Sequence, residues 1–122
     1  MSQIFELLEK IRQRSGLYIG TASITALRHF LVGYRFARQE MGILPTEAEL
    51  DFYQEFQPWL QNRFHIQTIN SWDQILLFKF VEEKTAFTNF FLLLEEFRHR
   101  DKSQDIDPLL LDETYEAPAN VA

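Results

Sequence analysis

Apolar residues recur at intervals of three and four through the first four fifths of the chain, which is the periodicity of helices that bury one face. Ser2 is placed to cap a first helix, and Arg12 and Arg14 lie where basic side chains favour a helix C-terminus. Its predicted apolar face consists of Ile4, Phe5, Leu7, Leu8 and Ile11. Residues 15–20 follow, with glycines on both sides of an apolar triplet, and predict a tight, partly buried connection that ends at Gly20.

A longer helix is predicted to begin at Thr21 or Ser23 and to run to about Met41, because Gly42 and Pro45 form a stop signal. Its apolar residues fall on two arcs, which predicts a helix that is buried on two sides and central in a bundle. One arc holds Leu27, Phe30, Leu31, Tyr34, Ala37 and Met41, and the other holds Val32 and Phe36. A polar stripe between the arcs holds Arg28, Arg35 and Gln39.

Two residues disfavour helix within segments that are otherwise helical. Gly33 costs about 1 kcal/mol relative to alanine, unless a neighbouring helix must approach closely there. Pro58 follows a segment that Thr46 and Glu49 open with capping-box spacing, and it is expected to end or kink that helix. We therefore favour a separate short helix over residues 58–64 to one continuous helix.

The remaining periodic segments predict a loop and two further helices. Residues 65–69 alternate as a strand would, but we expect a loop because a single strand would have no partner. Ser71 and Gln74 have capping-box spacing before a short helix, and a last helix covers about residues 83–99. Its predicted buried arc holds Ala86, Phe87, Phe90, Phe91, Leu93, Leu94 and Phe97, with Thr88, Glu95 and Glu96 opposite.

After Arg100 the chain becomes acidic and loses its periodicity. The fold class predicted is therefore all-α: a single-domain bundle of about five helices over residues 1–100, followed by an acidic, mobile tail over residues 101–122. Within that tail, the run Leu109-Leu110-Leu111 is flanked by acids and could dock onto the bundle or onto a partner.

Composition supports one folded domain and excludes some chemistry. The chain has 122 residues, 46% of them hydrophobic, with 12 phenylalanines, which is enough apolar material for one core. It has no cysteine, so disulfides, thiolate zinc sites and cysteine nucleophiles are excluded. The N-terminus lacks the uninterrupted apolar core of a signal peptide, and the longest apolar run, residues 90–94, is too short to span a bilayer. We expect a cytoplasmic protein with no membrane partner.

Charge is distributed unevenly along the chain, whose net charge is −6. Residues 1–38 contain six basic and two acidic side chains, a balance of +4. Residues 39–100 contain five and ten, and residues 101–122 contain one and six, so each of these parts has a balance of −5. Net acidity disfavours a general nucleic-acid binder, whose affinity depends on clustered lysine and arginine, but the basic first third is compatible with an anionic partner.

No pattern in the sequence indicates a catalytic, cofactor-binding or metal-binding site, and we expect none. His29, His65 and His99 belong to different segments, and none has a second ligand one helical turn away. The nucleophile-elbow pattern Gly-x-Ser-x-Gly is absent. The acids of the third helix predict a solvated helix face rather than a carboxylate pair for acid–base catalysis: Glu47, Glu49, Asp51 and Glu55.

Two resemblances bear on this sequence. Residues 8–20, which include Arg12-Gln13-Arg14-Ser15-Gly16-Leu17-Tyr18-Ile19-Gly20, resemble the R-x-R-P-G-M-Y-I-G segment of DNA gyrase B subunits. The glutamate, asparagine and Asp-x-Gly-x-Gly turn that the gyrase ATPase needs are missing, so we reject ATPase activity.

Residues 8–97 resemble a family of small uncharacterised bacterial helical proteins with a Gly-Leu/Met-Tyr-Ile/Leu-Gly turn. In that family a Ser-Ile-x-x-Leu-x-x-Phe-x-x-Gly-Tyr helix follows, here Ser23, Ile24, Leu27, Phe30, Gly33 and Tyr34. This resemblance implies a compact helical fold and no established activity.

These observations favour a non-catalytic protein-interaction module, such as an immunity-type inhibitor or a regulatory adaptor. Its partner is an unidentified protein, and a basic surface suits an anionic one; a homo-oligomer stays open. The candidate interaction surface consists of Arg12, Arg14, Tyr18, Arg28 and Arg35, because arginine and tyrosine are favoured in interfaces. The alternatives are a small-molecule binder or enzyme with a pocket between helices, and a weak nucleic-acid binder that uses the basic third.

Overall fold

The computed structural model describes residues 3–105, and within that range every regular element is a helix, which confirms the all-α bundle. The helices are α1 (Gln3–Gln13), α2 (Ser15–Ile19), α3 (Ile24–Glu40), α4 (Glu47–Phe64), α5 (Trp72–Phe80) and α6 (Glu83–Arg98). A 3₁₀ turn, Lys102–Gln104, follows α6. The predictions about the tail beyond residue 105, including the run of three leucines, lie outside the described residues.

Two of the predicted helix caps are confirmed and one is wrong, whereas Ser2, the predicted cap of the first helix, lies outside the described residues. The hydroxyl of Ser23 accepts a hydrogen bond from the Ala26 amide at 3.1 Å and caps α3. Thr46 and Glu49 form the predicted capping box at the start of α4, with hydrogen bonds of 2.9 and 3.2 Å. At α5 the predicted start is confirmed but its capping box is wrong, because the Ser71 hydroxyl bonds to the Asp73 carboxylate and caps no backbone amide.

The predicted connection at residues 15–20 is itself a short helix. Residues 15–19 make one turn and a half of helix, and Gly20 ends it at a φ of +85°. The side chains of Tyr18 and Ile19 pack against the core, whereas Leu17 is exposed. The apolar triplet is therefore divided between the interior and the surface.

The predicted break at Pro58 is wrong, because α4 continues through it. Proline removes one backbone donor, and the residue whose carbonyl would have accepted that hydrogen bond, Gln54, is exposed to water. Phe56 and Leu60 are buried on either side of Pro58 and fix both halves of the helix to the core. Burial on both sides therefore outweighs the local cost of the missing hydrogen bond.

The core is built around the predicted apolar arc of α6. All seven residues of that arc are buried, and the three residues predicted opposite them are exposed. Aromatic rings from α4 and α5 pack on this arc, mostly edge to face: Phe56 lies 5.6 Å from Phe90 and 5.3 Å from Phe97, and Trp72 stacks on Phe90 at 4.9 Å. Together with α1 and α3, these helices enclose one continuous hydrophobic cluster.

The prediction that α3 is buried on two sides is wrong, because its second apolar arc is exposed and its first is covered only in part: Ala37 and Met41, at the C-terminal end of the first arc, are exposed. Leu27 and Leu31 are buried. Val32 is 48% exposed and Phe36 is 61% exposed, although both belong to the second arc. Nothing lies within 4 Å of a β-carbon placed on Gly33, so no neighbouring helix approaches there. Within the part of the chain that the structure describes, the second arc of α3 consequently faces outward and no other helix covers it.

Candidate functional site

A groove of about 450 Å³ lies beside the exposed arc of α3. Helix α3 forms one wall, α4 forms the other, and the N-terminal residue of α5, Trp72, closes the bottom. The residues that line the groove are Arg28, Leu31, Val32, Arg35, Phe36, Gln39, Phe52, Tyr53, Gln57 and Trp72. It therefore joins the outward apolar arc of α3 to the polar stripe predicted beside that arc.

The two walls differ in chemistry. Along α3, arginine and apolar side chains alternate at helical spacing, so Val32 and Phe36 stand beside Arg28 and Arg35. The α4 wall is neutral and offers a phenol and an amide, those of Tyr53 and Gln57. Arginine and aromatic side chains are enriched where proteins bind other proteins.

Arg35 is held in this groove by an aromatic ring and not by a carboxylate of residues 3–105. Its guanidinium lies 4.1 Å from the centre of the Tyr53 ring, at cation–π distance. Within residues 3–105 it forms no ion pair with any carboxylate. The charge is thus held in position by an aromatic face and stays available to an incoming anion.

Arg28 already has a carboxylate partner within the protein. Its guanidinium lies 3.6 Å from the carboxylate of Asp73, which is buried, and 5.5 Å from the Trp72 ring. Because Asp73 balances much of this charge, Arg28 organises the bottom of the groove more than it attracts an anion.

The Tyr53 phenol stays protonated in the groove. Burial raises its pKa above the ordinary value of 10.0, and the Glu49 carboxylate raises it further, whereas the Arg35 guanidinium lowers it. The phenol can therefore donate a hydrogen bond to a bound carboxylate or carbonyl oxygen at neutral pH.

Carboxylates from other helices fix both ends of α3. At its N-terminus, the Glu83 carboxylate accepts hydrogen bonds from the Thr25 amide and hydroxyl at 2.9 and 2.7 Å, and from the Ser23 hydroxyl at 2.8 Å. Near its C-terminus, the Arg38 guanidinium lies 3.8 Å from the carboxylate of Glu49 in α4. The first contact joins α3 to α6, and the second joins the two walls of the groove, α3 and α4.

Glu49 occupies an unexpected position. It was predicted on a solvated acidic face, but its side chain is 0% exposed, so that prediction is wrong for this residue. One carboxylate oxygen completes the α4 capping box, and the other accepts a hydrogen bond from the Ile4 amide at 3.0 Å. Glu49 therefore caps α1 and α4 at once. Capping-box spacing was a signal for the first of these roles, but nothing local signals the second.

The five residues of the predicted interaction surface are placed on different parts of the molecule. Arg28 and Arg35 come together in the groove. Arg12 lies on the other side of the bundle, where it contacts Glu9 and the ring of Phe91 at the α1–α6 junction. Arg14 is exposed between α1 and α2, and Tyr18 packs against the core. The structure adds Val32, Phe36, Gln39, Tyr53 and Trp72 to the first pair.

A second hollow, of about 200 Å³, lies at that α1–α6 junction. Arg12, Arg98 and His99 line it together with Glu9 and Glu95, so charges of both signs compensate one another. It also lacks the exposed apolar wall of the α3–α4 groove, which leaves the groove as the stronger candidate for binding.

No arrangement of groups suited to metal chemistry occurs among residues 3–105: no three histidine or acidic side chains are grouped so that they could hold a metal ion. His29, His65 and His99 are exposed on separate elements. In the same described range, no helix has the length and apolar character needed to cross a membrane.

Compared with known proteins, the chain matches no family model, no curated protein and no solved structure.

Proposed function

We propose that this protein is a non-catalytic protein-interaction module, of the inhibitor or adaptor kind, that binds its partner in the groove between α3 and α4. The observation that supports this proposal is the exposed apolar arc of α3, where Phe36 is 61% exposed beside Arg35, a charge that no carboxylate of residues 3–105 pairs with. Exposed apolar surface next to a fixed arginine is costly to leave in water without a partner. The proposed place of action is the cytoplasm, in keeping with a chain that contains no cysteine.

The partner segment that fits the groove is apolar with at least one carboxylate. An apolar side chain would cover Val32 and Phe36 and remove their surface from water. A carboxylate next to it would pair with Arg35, whose planar guanidinium can donate two parallel hydrogen bonds. One basic and one aromatic anchor within an apolar surface is the usual composition of a binding hot spot.

Two substitutions with matched controls test the proposal. Arg35→Glu reverses the charge in the groove, and Arg14→Glu makes the same change at an exposed site away from it. Phe36→Ser removes the apolar anchor, and Leu92→Ser removes an apolar side chain that is similarly exposed, on α6. Each full-length variant is used to capture the partner from the native host, and its melting temperature is measured in parallel.

We expect the two groove variants to lose capture by at least about tenfold, since each removes a contact worth about 1.4 kcal/mol or more. The two controls are expected to capture the partner as the parent does, and all four melting temperatures are expected to stay close to the parent's. Undiminished capture by Arg35→Glu and Phe36→Ser would eliminate the groove as the binding surface.

The volume of the groove also supports a second candidate, a small-molecule binder. About 450 Å³ lies within the size range of ligand pockets in proteins. A metabolite that binds only the folded state raises its stability by mass action. A thermal-shift screen separates the two candidates: a stabilising metabolite whose effect is lost in Arg35→Glu would favour the small-molecule binder.

A further inference from the structure

We propose that the acidic C-terminal segment of this chain, residues 106–122, occupies the α3–α4 groove and competes with the external partner for it. This inference rests on the proposed function, because it takes the same groove as the binding surface. Three observations support it: the position at which the described chain ends, the number of residues from that position to the leucines of the segment, and the opposite charges of the segment and the groove.

The described chain ends against α4. Arg100 donates hydrogen bonds to Asp51 on α4 and to Asp105 beside it, all between 2.8 and 3.1 Å. Gln104 and Asp105 then line a small hollow together with residues of α4, namely Glu55, Pro58, Trp59 and Asn62. Residue 105 is therefore anchored on one side of α4, and at 100° per residue Tyr53 and Gln57 project from the other side, into the groove.

The distance from this anchor to the groove suits the spacing of the segment. A helix is about 10 to 12 Å across with its side chains, so a path halfway around α4 is about 16 to 19 Å long. Six residues in extended conformation cover about 20 Å. Residues 106–111 would therefore cross the solvent side of α4 and bring Leu111 to the groove, with Asp112 and Glu113 directly after it.

The chemistry of the segment complements that of the groove. Residues 106–122 contain four acidic side chains and no basic one, a balance of −4: Asp107, Asp112, Glu113 and Glu116. Leucines directly before Asp112 supply apolar side chains for Val32 and Phe36, and the acids that follow supply carboxylates for Arg35. This is the same combination of groups that the groove would require of an external partner.

Tethering makes such a weak contact effective. A segment joined by a short linker reaches its site at an effective concentration in the millimolar range. An external partner must displace it, so the segment would raise the partner concentration needed for binding and would set a threshold for capture.

A spin label on the full chain tests this inference directly. Because the protein has no cysteine, Thr114→Cys provides a single attachment site for a nitroxide next to the acids. Paramagnetic broadening of backbone amide signals then reports which residues lie near the label. Lys102→Cys is the matched control, because residue 102 is exposed and lies beside Asp51, on the side of α4 away from the groove.

With the label at residue 114, we expect the amide signals of Val32, Phe36 and Gln57 to lose most of their intensity relative to the reduced label. Adding Arg35→Glu is expected to restore them, whereas any broadening by the label at residue 102 is expected to be the same with and without Arg35→Glu. Unbroadened groove signals, or broadening on another face, would overturn the inference. So would broadening that appears only when spin-labelled chains are mixed with isotope-labelled ones, since the occupant would then be a second copy.

A second measurement separates this inference from the proposed function. Leu109→Ser combined with Leu111→Ser in the full chain is expected to raise capture of the external partner several-fold, because its competitor is weakened. If Arg35→Glu abolishes capture while the spin label leaves the groove signals unchanged, the groove binds the external partner and residues 106–122 do not occupy it. If the label broadens the groove signals while Arg35→Glu leaves capture intact, residues 106–122 occupy the groove and the external partner binds elsewhere.

Discussion

Among single side chains, the carboxylate of Glu83 has a structural role far larger than its position suggests. It opens α6, but its hydrogen bonds go to Ser23 and Thr25 at the start of α3, about 60 residues away in sequence. Glu83 thereby satisfies amide and hydroxyl donors at a helix end that supports one wall of the groove. The sequence contains no local signal for this pairing.

Glu83→Gln is expected to lower the free energy of unfolding by about 1 to 3 kcal/mol at pH 7, because a charged acceptor of three hydrogen bonds is replaced by a neutral one. Urea unfolding measures the loss. Glu82→Gln is the matched control: Glu82 neighbours it in sequence, is exposed, and caps α6 without a side-chain hydrogen bond. Equal losses in the two variants would show that the cross-helix bonds of Glu83 contribute nothing.

The same carboxylate gives a pH dependence of known sign. Burial alone raises the pKa of Glu83, but hydrogen bonds from Thr25 and Ser23 outweigh it and place the pKa below the ordinary value of 4.5. The stabilisation is therefore complete above the unfolded-state pKa and is lost as the pH falls through the folded-state pKa. We expect the stability difference between the parent and Glu83→Gln to shrink as unfolding is measured at successively lower pH below about 4.5. A difference that grows toward acid would contradict this.

Two glycines at α3 are expected to respond in opposite directions to alanine. Gly33 lies inside the helix with open space around it, so Gly33→Ala is expected to raise the free energy of unfolding by up to about 1 kcal/mol. Gly42 follows the helix with a φ of +73°, which a β-carbon disfavours, so Gly42→Ala is expected to lower it by about 1 kcal/mol. Thermal unfolding of both variants tests the pair, and a destabilised Gly33→Ala would reveal a close approach that the geometry excludes.

At the level of helices, α1 and α4 depend on one shared cap. Glu49→Gln is expected to cost about 3 kcal/mol, because it removes the carboxylate that pairs with Arg38 and points an amide NH2 group at a backbone N–H, of Ile4 or of Thr46, that then lacks its acceptor. Glu47→Gln changes an exposed acid in the same first turn of α4 and is expected to change stability little. Urea unfolding of the two variants measures the difference, and similar losses would contradict the shared cap.

Local patterns were sufficient to predict most helices. The arc of α6 was predicted residue by residue, because six large apolar side chains and one alanine at helical spacing leave one way to bury them. The prediction failed at Pro58, where local propensity predicts a break, and burial of Phe56 and Leu60 keeps the helix intact. It failed again for the second arc of α3, because periodicity shows that a face is apolar and not whether a neighbour covers it.

For the molecule as a whole, the groove was only half predictable. Arg28 and Arg35 were identified from residue type and spacing, and they do line it. Tyr53 and Trp72 could not be assigned to it, because they reach the groove from helices whose relative placement no local pattern specifies. The same limit applies to Glu49, whose partner Ile4 lies 45 residues away.

Site-specific photo-crosslinking in the native host tests the groove most directly as the surface that meets a partner. A photoreactive side chain replaces either Gln39, which lines the groove and is exposed, or Thr88, which is exposed on α6. We expect light to join a second protein to the chain at position 39 and not at position 88, and Arg35→Glu to abolish that adduct. Adducts of equal yield at both positions, or at position 88 alone, would contradict a binding site between α3 and α4.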